Sequence, residues 1–289
     1  MKPPAFEYFA PTDIDGALAL MAAHGDDARF LAGGQSLVPM LNLRLAAPTA
    51  LIDLNGVAGL GEVVLDDDGT LILGSMTRTR RIETDPAIAA ANPLLSHAAA
   101  SVAHVQIRNR GTIGGSLAHA DPAAELPGVV LACEAEIHLQ SPFGTRTVVA
   151  ADFFDGVFTT AVAAGEMIVR IVFPAWPKAR RWGFREVSRR EGDFAMVGIA
   201  GWYDSDNNGR IGTARLAAIG AGDTPVRLLA TEAALTGNAP TDDIFAAAAA
   251  AAMNELRPGD DLHASAAYRR EVGGVLVGRV LGDARDRRT

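Results

Sequence analysis

The sequence predicts an α+β chain built from two or three packed units. Three observations carry this. At 289 residues, 49% of them hydrophobic, the chain exceeds an ordinary single domain and can bury more than one core. Its first half alternates short apolar runs with helix-length stripes, whereas its tail collects three strand-like runs and then three helices. Finally, a turn at Leu31-Ala32-Gly33-Gly34-Gln35-Ser36-Leu37 is echoed by Gly111-Thr112-Ile113-Gly114-Gly115-Ser116, each a glycine pair closed by serine and set between an apolar segment and a helix signal.

Taken in order, Thr12 is the expected N-cap of a helix over 13–24, with Ala17, Leu18, Leu20 and Met21 as its apolar stripe and Gly25 as its stop. A strand follows over 28–31. Ser36 is then placed to cap a helix reaching Leu45, with Pro39 in its first turn, and 51–54 reads as the next strand. Val63-Val64-Leu65 and Leu71-Ile72-Leu73 flank Asp66-Asp67-Asp68-Gly69, which signals a hairpin. Residues 77–103, broken by Pro86 and Pro93, read as two or three helices; 122–133 is helical, 135–140 and 145–149 form a further hairpin, and 167–173 is a strand. Pro174-Ala175-Trp176-Pro177-Lys178 is the linker, because two prolines cannot continue a strand ladder. Beyond it, strands at 181–188, 195–203 and 210–219 predict a three-stranded antiparallel meander, backed by helices over 226–235, 241–256 and 266–281.

The chemistry is constrained by what is scarce. A net charge of −8 disfavours a nucleic-acid surface, so any phosphate must be held locally. Cys133 is the sole cysteine, which excludes a disulfide framework and a cysteine-ligated cluster or zinc site within this chain; redox chemistry needs an organic cofactor. The six histidines show no metal-ligand spacing, and no Gly-Lys-Ser/Thr phosphate loop is present. The start lacks the apolar stretch of a signal peptide and no apolar run is long enough to span a membrane, so a cytoplasmic protein is expected.

Glycine pairs let the backbone approach a ligand, and successive N–H groups in such a turn form a concave anion site. Two facing turns could clasp one diphosphate. His119 and Asp121 directly follow the second turn and are candidates for ligand contact; a satisfied histidine is the plain alternative. Glu125 at a helix start either complements the helix dipole or accepts hydrogen bonds from sugar hydroxyls. Arg185 to Asp193 is the densest charge cluster, read either as a solvated hairpin tip or, through Arg185, as a cation aimed at an electron-accepting ring.

With both glycine turns, Ala-His-Ala-Asp-Pro-Ala-Ala-Glu-Leu-Pro at 118–127 and Ser-Arg-Arg-Glu-Gly-Asp-Phe-Ala at 188–195 in fixed order, the chain resembles the medium, FAD-binding subunit of the molybdenum hydroxylases, the carbon monoxide dehydrogenase and xanthine dehydrogenase group. The resemblance spans essentially the whole sequence. It implies a two-lobed FAD domain of the vanillyl-alcohol-oxidase (PCMH) type over 1–177, with lobes of about 1–55 and 56–177, followed by an α+β domain over 178–289. It further implies that FAD lies between the lobes, contacted by Leu31 to Leu37, by Thr112, Ile113, Gly114, Gly115 and Ser116, and by His119, Asp121, Glu125, Ile168, Arg185, Asp193 and Phe194. Gln35, Ser116 and Phe194 depart from residues found in some members, as does Arg185 from a lysine beside the isoalloxazine. The implied partners are a small subunit with two 2Fe–2S clusters and a large molybdopterin subunit, in a dimer of heterotrimers that delivers electrons to an external acceptor. A self-sufficient flavin oxidase on the same scaffold and a flavin-free assembly subunit are the rival readings.

Overall fold

The computed structural model describes residues 2–287, so the expected outer bounds at 1 and 289 lie outside the described residues. The first lobe holds β1 (Glu7–Phe9), α1 (Ile14–His24), β2 (Ala28–Leu31), α2 (Leu37–Asn42) and β3 (Ala50–Asp53). Its three strands are parallel in the order β1-β3-β2. Asp13, not Thr12, caps α1 by accepting from the Gly16 N–H at 2.7 Å, and Gly25 ends it at φ 57° as expected. The second helix stops at Asn42, short of Leu45. Leu43 and Leu45 are 58% and 72% exposed, so the apolar residues that prolong the pattern have no core to meet.

The second lobe contains β4 (Val63–Leu65), β5 (Leu71–Gly74), α3 (Thr79–Thr84), α4 (Pro86–Ala91), α5 (Pro93–Ala99), α6 (Val105–Arg110), α7 (Ile113–His119), α8 (Glu125–Ala132), β6 (Glu136–Ser141), β7 (Gly144–Val149), β8 (Phe154–Gly156), β9 (Thr159–Thr160) and β10 (Met167–Phe173). Five strands form an antiparallel sheet in the order β4-β5-β10-β6-β7. Pro86 and Pro93 each take the first turn of a helix, where a missing N–H costs nothing, and Asp85 and Asn92 cap the two helices.

Beyond the Pro174–Pro177 segment come β11 (Arg181–Ser188), β12 (Ala195–Ser205), β13 (Ile211–Ile219), β14 (Val226–Arg227), α9 (Leu229–Leu235), α10 (Asp242–Glu255) and α11 (Ala266–Asp286). The expected meander is there, extended by the two-residue β14, which occupies the start of the helix expected from 226. One face of this sheet packs on α10 and α11 through Val197, Ile199, Leu276 and Val280. The other face sends Trp182, Phe184, Ala200 and Trp202 into the same core as Leu95, Val129 and Ile171 of the second lobe. The Trp202 indole N–H donates to the Ala132 carbonyl at 2.7 Å, fixing the sheet to the end of α8. No helix among the described residues is long and apolar enough to cross a membrane.

Candidate functional site

A cavity of about 510 Å³ opens where the two lobes meet, a size that suits a nucleotide cofactor. Lobe one contributes Ala32, Gly33, Gly34, Gln35, Ser36 and Leu37 from the loop between β2 and α2; lobe two contributes Thr112, Gly114, Gly115, Ser116, His119, Asp121, Glu125 and Ile168. The turn between β11 and β12 adds Gly192, Asp193 and Phe194 from the last third of the chain. Residues spread over 160 positions of sequence thus share one wall system. Leu31, Ile113 and Arg185 are the expected contacts that the cavity does not include. Leu31 ends β2 opposite Asp53, and Ile113 is fully buried in the second-lobe core.

Arg185 requires a correction. Its side chain lies on the opposite face of β11 from the cavity side, with Nε 2.5 Å and a terminal nitrogen 2.9 Å from the Asp283 carboxylate on α11. A strand alternates with period two, so Trp182, Phe184 and Glu186 share one face and Arg185, three residues from Trp182, must take the other. The charged group of β11 on the Trp182 and Phe184 face is therefore Glu186, which does not line the cavity. Burial and then the neighbouring Glu125 charge push its carboxyl up to about 8, and its Oε2 is buried without a hydrogen-bond partner.

The two glycine turns look alike in sequence and differ in bonding. In the second turn the N–H groups of Ile113, Gly114, Gly115 and Ser116 are already used, donating to Thr77 O, Ser75 O, Thr112 Oγ1 and Thr112 O; the glycine pair sits inside the first turn of α7, with Thr112 as N-cap. In the first turn, the N–H groups of Gly33, Gly34, Gln35 and Ser36 have no acceptor among the described residues, and Gly34 takes φ 73°. Four free amides in such a turn form a ready anion cradle. The glycines of the two turns also serve packing. A Cβ on Gly33 would overlap the Arg110 carbonyl oxygen, and one on Gly114 would come within 2.6 Å of the Ser75 Cβ. At both sites an added Cβ would collide with the protein itself, with the Arg110 backbone at Gly33 and with Ser75 at Gly114.

Positive charge near the first turn was not legible from the motif. Arg29 lines the cavity and forms no ion pair among the described residues, its guanidinium donating only to the Asp26 and Ala28 carbonyls at 2.8 and 2.7 Å. Arg78 sits behind the turn, bonded to Asn55 Oδ1 at 2.5 Å and to the Arg110 carbonyl. Ser75, Met76 and Thr79 are further wall residues that no motif signalled.

Glu125 is 4% exposed and opens α8, yet its carboxylate has no hydrogen-bond partner from another residue among those described. Burial pushes its carboxyl up to about 7, with Asp121 adding to the rise and Arg108 opposing it. His119 packs its ring 4.9 Å from that of Phe158, and burial holds its imidazole below the usual range despite nearby Asp121. Phe194 is 61% exposed at the cavity edge, an apolar ring beside a polar turn. The site therefore offers amide donors at one end, a buried acid on its wall and an aromatic edge.

Comparison with known proteins identifies the two parts of the chain. The family model described as the FAD binding domain in molybdopterin dehydrogenase matches residues 4–176, and that of the CO dehydrogenase flavoprotein C-terminal domain matches residues 182–284. The chain is 43% identical to the 6-hydroxypseudooxynicotine dehydrogenase complex subunit alpha of Paenarthrobacter nicotinovorans, covering 98% of this chain and 96% of that one. It is 37% identical to the caffeine dehydrogenase subunit beta of a Pseudomonas species, over 99% and 97% of the two chains. Among solved structures, a chain of carbon monoxide dehydrogenase from Hydrogenophaga pseudoflava superposes with a TM-score of 0.95 at 39% identity, covering 98% of both.

Proposed function

The chain belongs to the FAD-binding medium subunits of the molybdenum hydroxylases, the carbon monoxide dehydrogenase and xanthine dehydrogenase group, and from that premise we propose that it is the electron-transferring flavin module of a heterotrimeric enzyme. FAD, when bound, supplies a centre that accepts electrons singly from iron–sulfur clusters and releases them to an external acceptor. In this reading the two 2Fe–2S clusters belong to a small partner subunit and molybdopterin to a large one, the assembly is a cytoplasmic dimer of trimers, and substrate oxidation occurs on the large subunit. The lone, buried Cys133 fits that division, since cluster thiolates must then come from another chain. The proposed units are 1–177 and 178–289, supported by the bounds of the two family matches.

The observation that carries the proposal is the set of four partnerless amides at Gly33 to Ser36. They suit the diphosphate, with Arg29 as local counter-charge in an acidic protein. Thr112 and Ser116 face the same cavity from the other lobe with hydroxyl groups, and His119, Asp121 and Asp193 complete its polar wall. Glu125 is placed to accept from a sugar hydroxyl, while Ile168 and Phe194 offer apolar surface for the ring and exclude water from it. Arg185 has no part in this assignment.

The test is flavin content. The purified complex should carry one FAD per medium chain with visible flavin absorption, and Gly34→Val should lower that content while the other subunits still assemble. Colourless wild-type protein that fails to take up added FAD would sink the proposal and leave the assembly-subunit reading.

A further inference from the structure

Resting on the flavin reading, we propose that Asn55 and Arg78 are the positioning residues of the anion cradle: from outside the cavity they fix the peptide that carries the Gly33 N–H and tie it to the second turn across the seam between the lobes.

A trans peptide is planar and holds its oxygen and its N–H on opposite sides, so an anchored carbonyl sets where the following amide points. In the first turn the carbonyls are anchored one by one. The Ala32 oxygen accepts from Asn55 Nδ2 at 3.1 Å, the Gly33 oxygen from Gln35 Nε2 at 3.0 Å and the Gly34 oxygen from the Val38 N–H at 3.0 Å. The amides of Gly33, Gly34 and Gln35 therefore point away from those three anchors. Gln35 and Val38 belong to the turn and to the helix it opens, whereas Asn55 reaches in from beyond the end of β3.

Asn55 is itself held in one orientation. An arginine side chain has donors only, so the 2.5 Å bond from Arg78 identifies the oxygen end of the Asn55 amide and leaves Nδ2 for the Ala32 and Asp53 oxygens. Asp53 in turn takes the Asn55 backbone N–H at 2.8 Å and the Tyr8 hydroxyl at 2.5 Å. On the far side, Arg78 also donates to the Arg110 carbonyl, the oxygen that stands where a Gly33 Cβ would be, and forms a β-bridge with Thr112 at the head of the second turn. Neither Asn55 nor Arg78 lines the cavity, so both act on the ligand through the backbone they hold. The cradle is thus set before FAD arrives. Without the anchor the Ala32–Gly33 peptide is free to turn, and only the fraction of molecules with the amide correctly aimed is ready to bind.

The experiment follows FAD association and dissociation by stopped-flow fluorescence in flavin-free complex carrying Asn55→Ala, Arg78→Met or both. A lost contact speeds release, whereas lost preorganisation slows capture. For Asn55→Ala, association should slow by at least about fivefold while dissociation changes by less than about twofold, as expected when roughly one molecule in five holds the competent turn. Arg78→Met should give the same split, and the double variant should match the slower single variant to within about twofold, because the two residues act in series. Asn55 is exposed, so its truncation leaves the core untouched. Crystals of the flavin-free complex read the turn without any flavin: the Ala32–Gly33 peptide should take one orientation in the wild type and a turned or divided one in Asn55→Ala. Faster release at unchanged association, additive losses in the double variant, or a wild-type orientation of that peptide in Asn55→Ala overturns the positioning role. Wild-type complex that takes up no FAD overturns the flavin reading instead, and the same crystals still decide whether Asn55 sets the peptide.

Discussion

At Gly33 a side chain has nowhere to go. The position that a Cβ would take is filled by the Arg110 carbonyl, so replacing this glycine should disturb the joint between the lobes before it touches any cofactor; at Gly114 the obstacle is Ser75, within the second lobe. Gly33→Ala is expected to lower stability by about 1–3 kcal/mol, the usual range for overpacking, seen as a lower Tm in flavin-free protein. An unchanged Tm with lost FAD would mean that the glycine serves the ligand alone. Glu125 gives the residue scale its pH dependence. Its folded carboxyl keeps a proton up to about 7, whereas the unfolded chain releases it near 4.5, so the folded state binds more protons across that window and loses stability as pH rises. Glu125→Gln should remove a fall on the order of 2–3 kcal/mol between those pH values, measurable by urea denaturation. Asp283 and Glu83 work in the opposite sense: their carboxyls lie below the ordinary range despite burial, through the arginines beside them, and their contribution is lost as pH falls. Arg185→Ala breaks a half-exposed pair with Asp283 and should cost under about 1 kcal/mol, leaving FAD content and flavin reduction potential unchanged. A shifted potential would return the arginine to the flavin.

Among the elements, the turn joining β11 and β12 matters most, because it brings Gly192, Asp193 and Phe194 to a cavity otherwise built by the first 170 residues. Gly192, at φ 83°, packs on the His104 imidazole. Gly192→Val should push the turn off that contact and speed FAD dissociation by about tenfold, as expected for a loss on the order of 1.4 kcal/mol, read by stopped-flow fluorescence. An unchanged rate would show that the turn does not cover the ligand. Elements with strong punctuation were legible in the sequence: the Asp-Gly hairpin of β4 and β5, the proline-started α4 and α5, and the meander. The two-residue β9 and β14 and the three-residue β1 and β8 were not, because so few residues carry no periodicity and their pairing is set by distant partners. Helix α6 hid within a polar run of Gln106, Arg108, Asn109 and Arg110. For the site, residue types and order named both glycine turns, His119, Asp121, Glu125, Ile168, Asp193 and Phe194, less than half of the cavity wall. Which face of β11 points inward, and which turn keeps its amides free, depended on strand parity and on hydrogen bonds that sequence does not display.

Across the whole molecule, the linker at Pro174–Pro177 divides the chain in sequence without dividing its interior. Trp182, Phe184 and Trp202 lie in the core that also contains Phe153 and Ile171, and Arg180 stacks 3.5 Å from the Trp202 ring centroid. Trp202→Ala should cost about 3–5 kcal/mol and should still yield a single calorimetric transition, since lobe two and the C-terminal sheet share their core. Two resolved transitions in the wild type would show that the shared core does not couple them. The charge pattern has the same whole-molecule logic: a chain of net charge −8 attracts an anion only where amides and Arg29 create a local exception. That exception can be observed amide by amide. Hydrogen exchange followed with and without FAD should show new protection at Gly33, Gly34, Gln35 and Ser36, with little change at Ile113 to Ser116, whose amides are already bonded. Protection confined to the second turn, or none at the first, would contradict the assignment of the diphosphate to the free amides of lobe one.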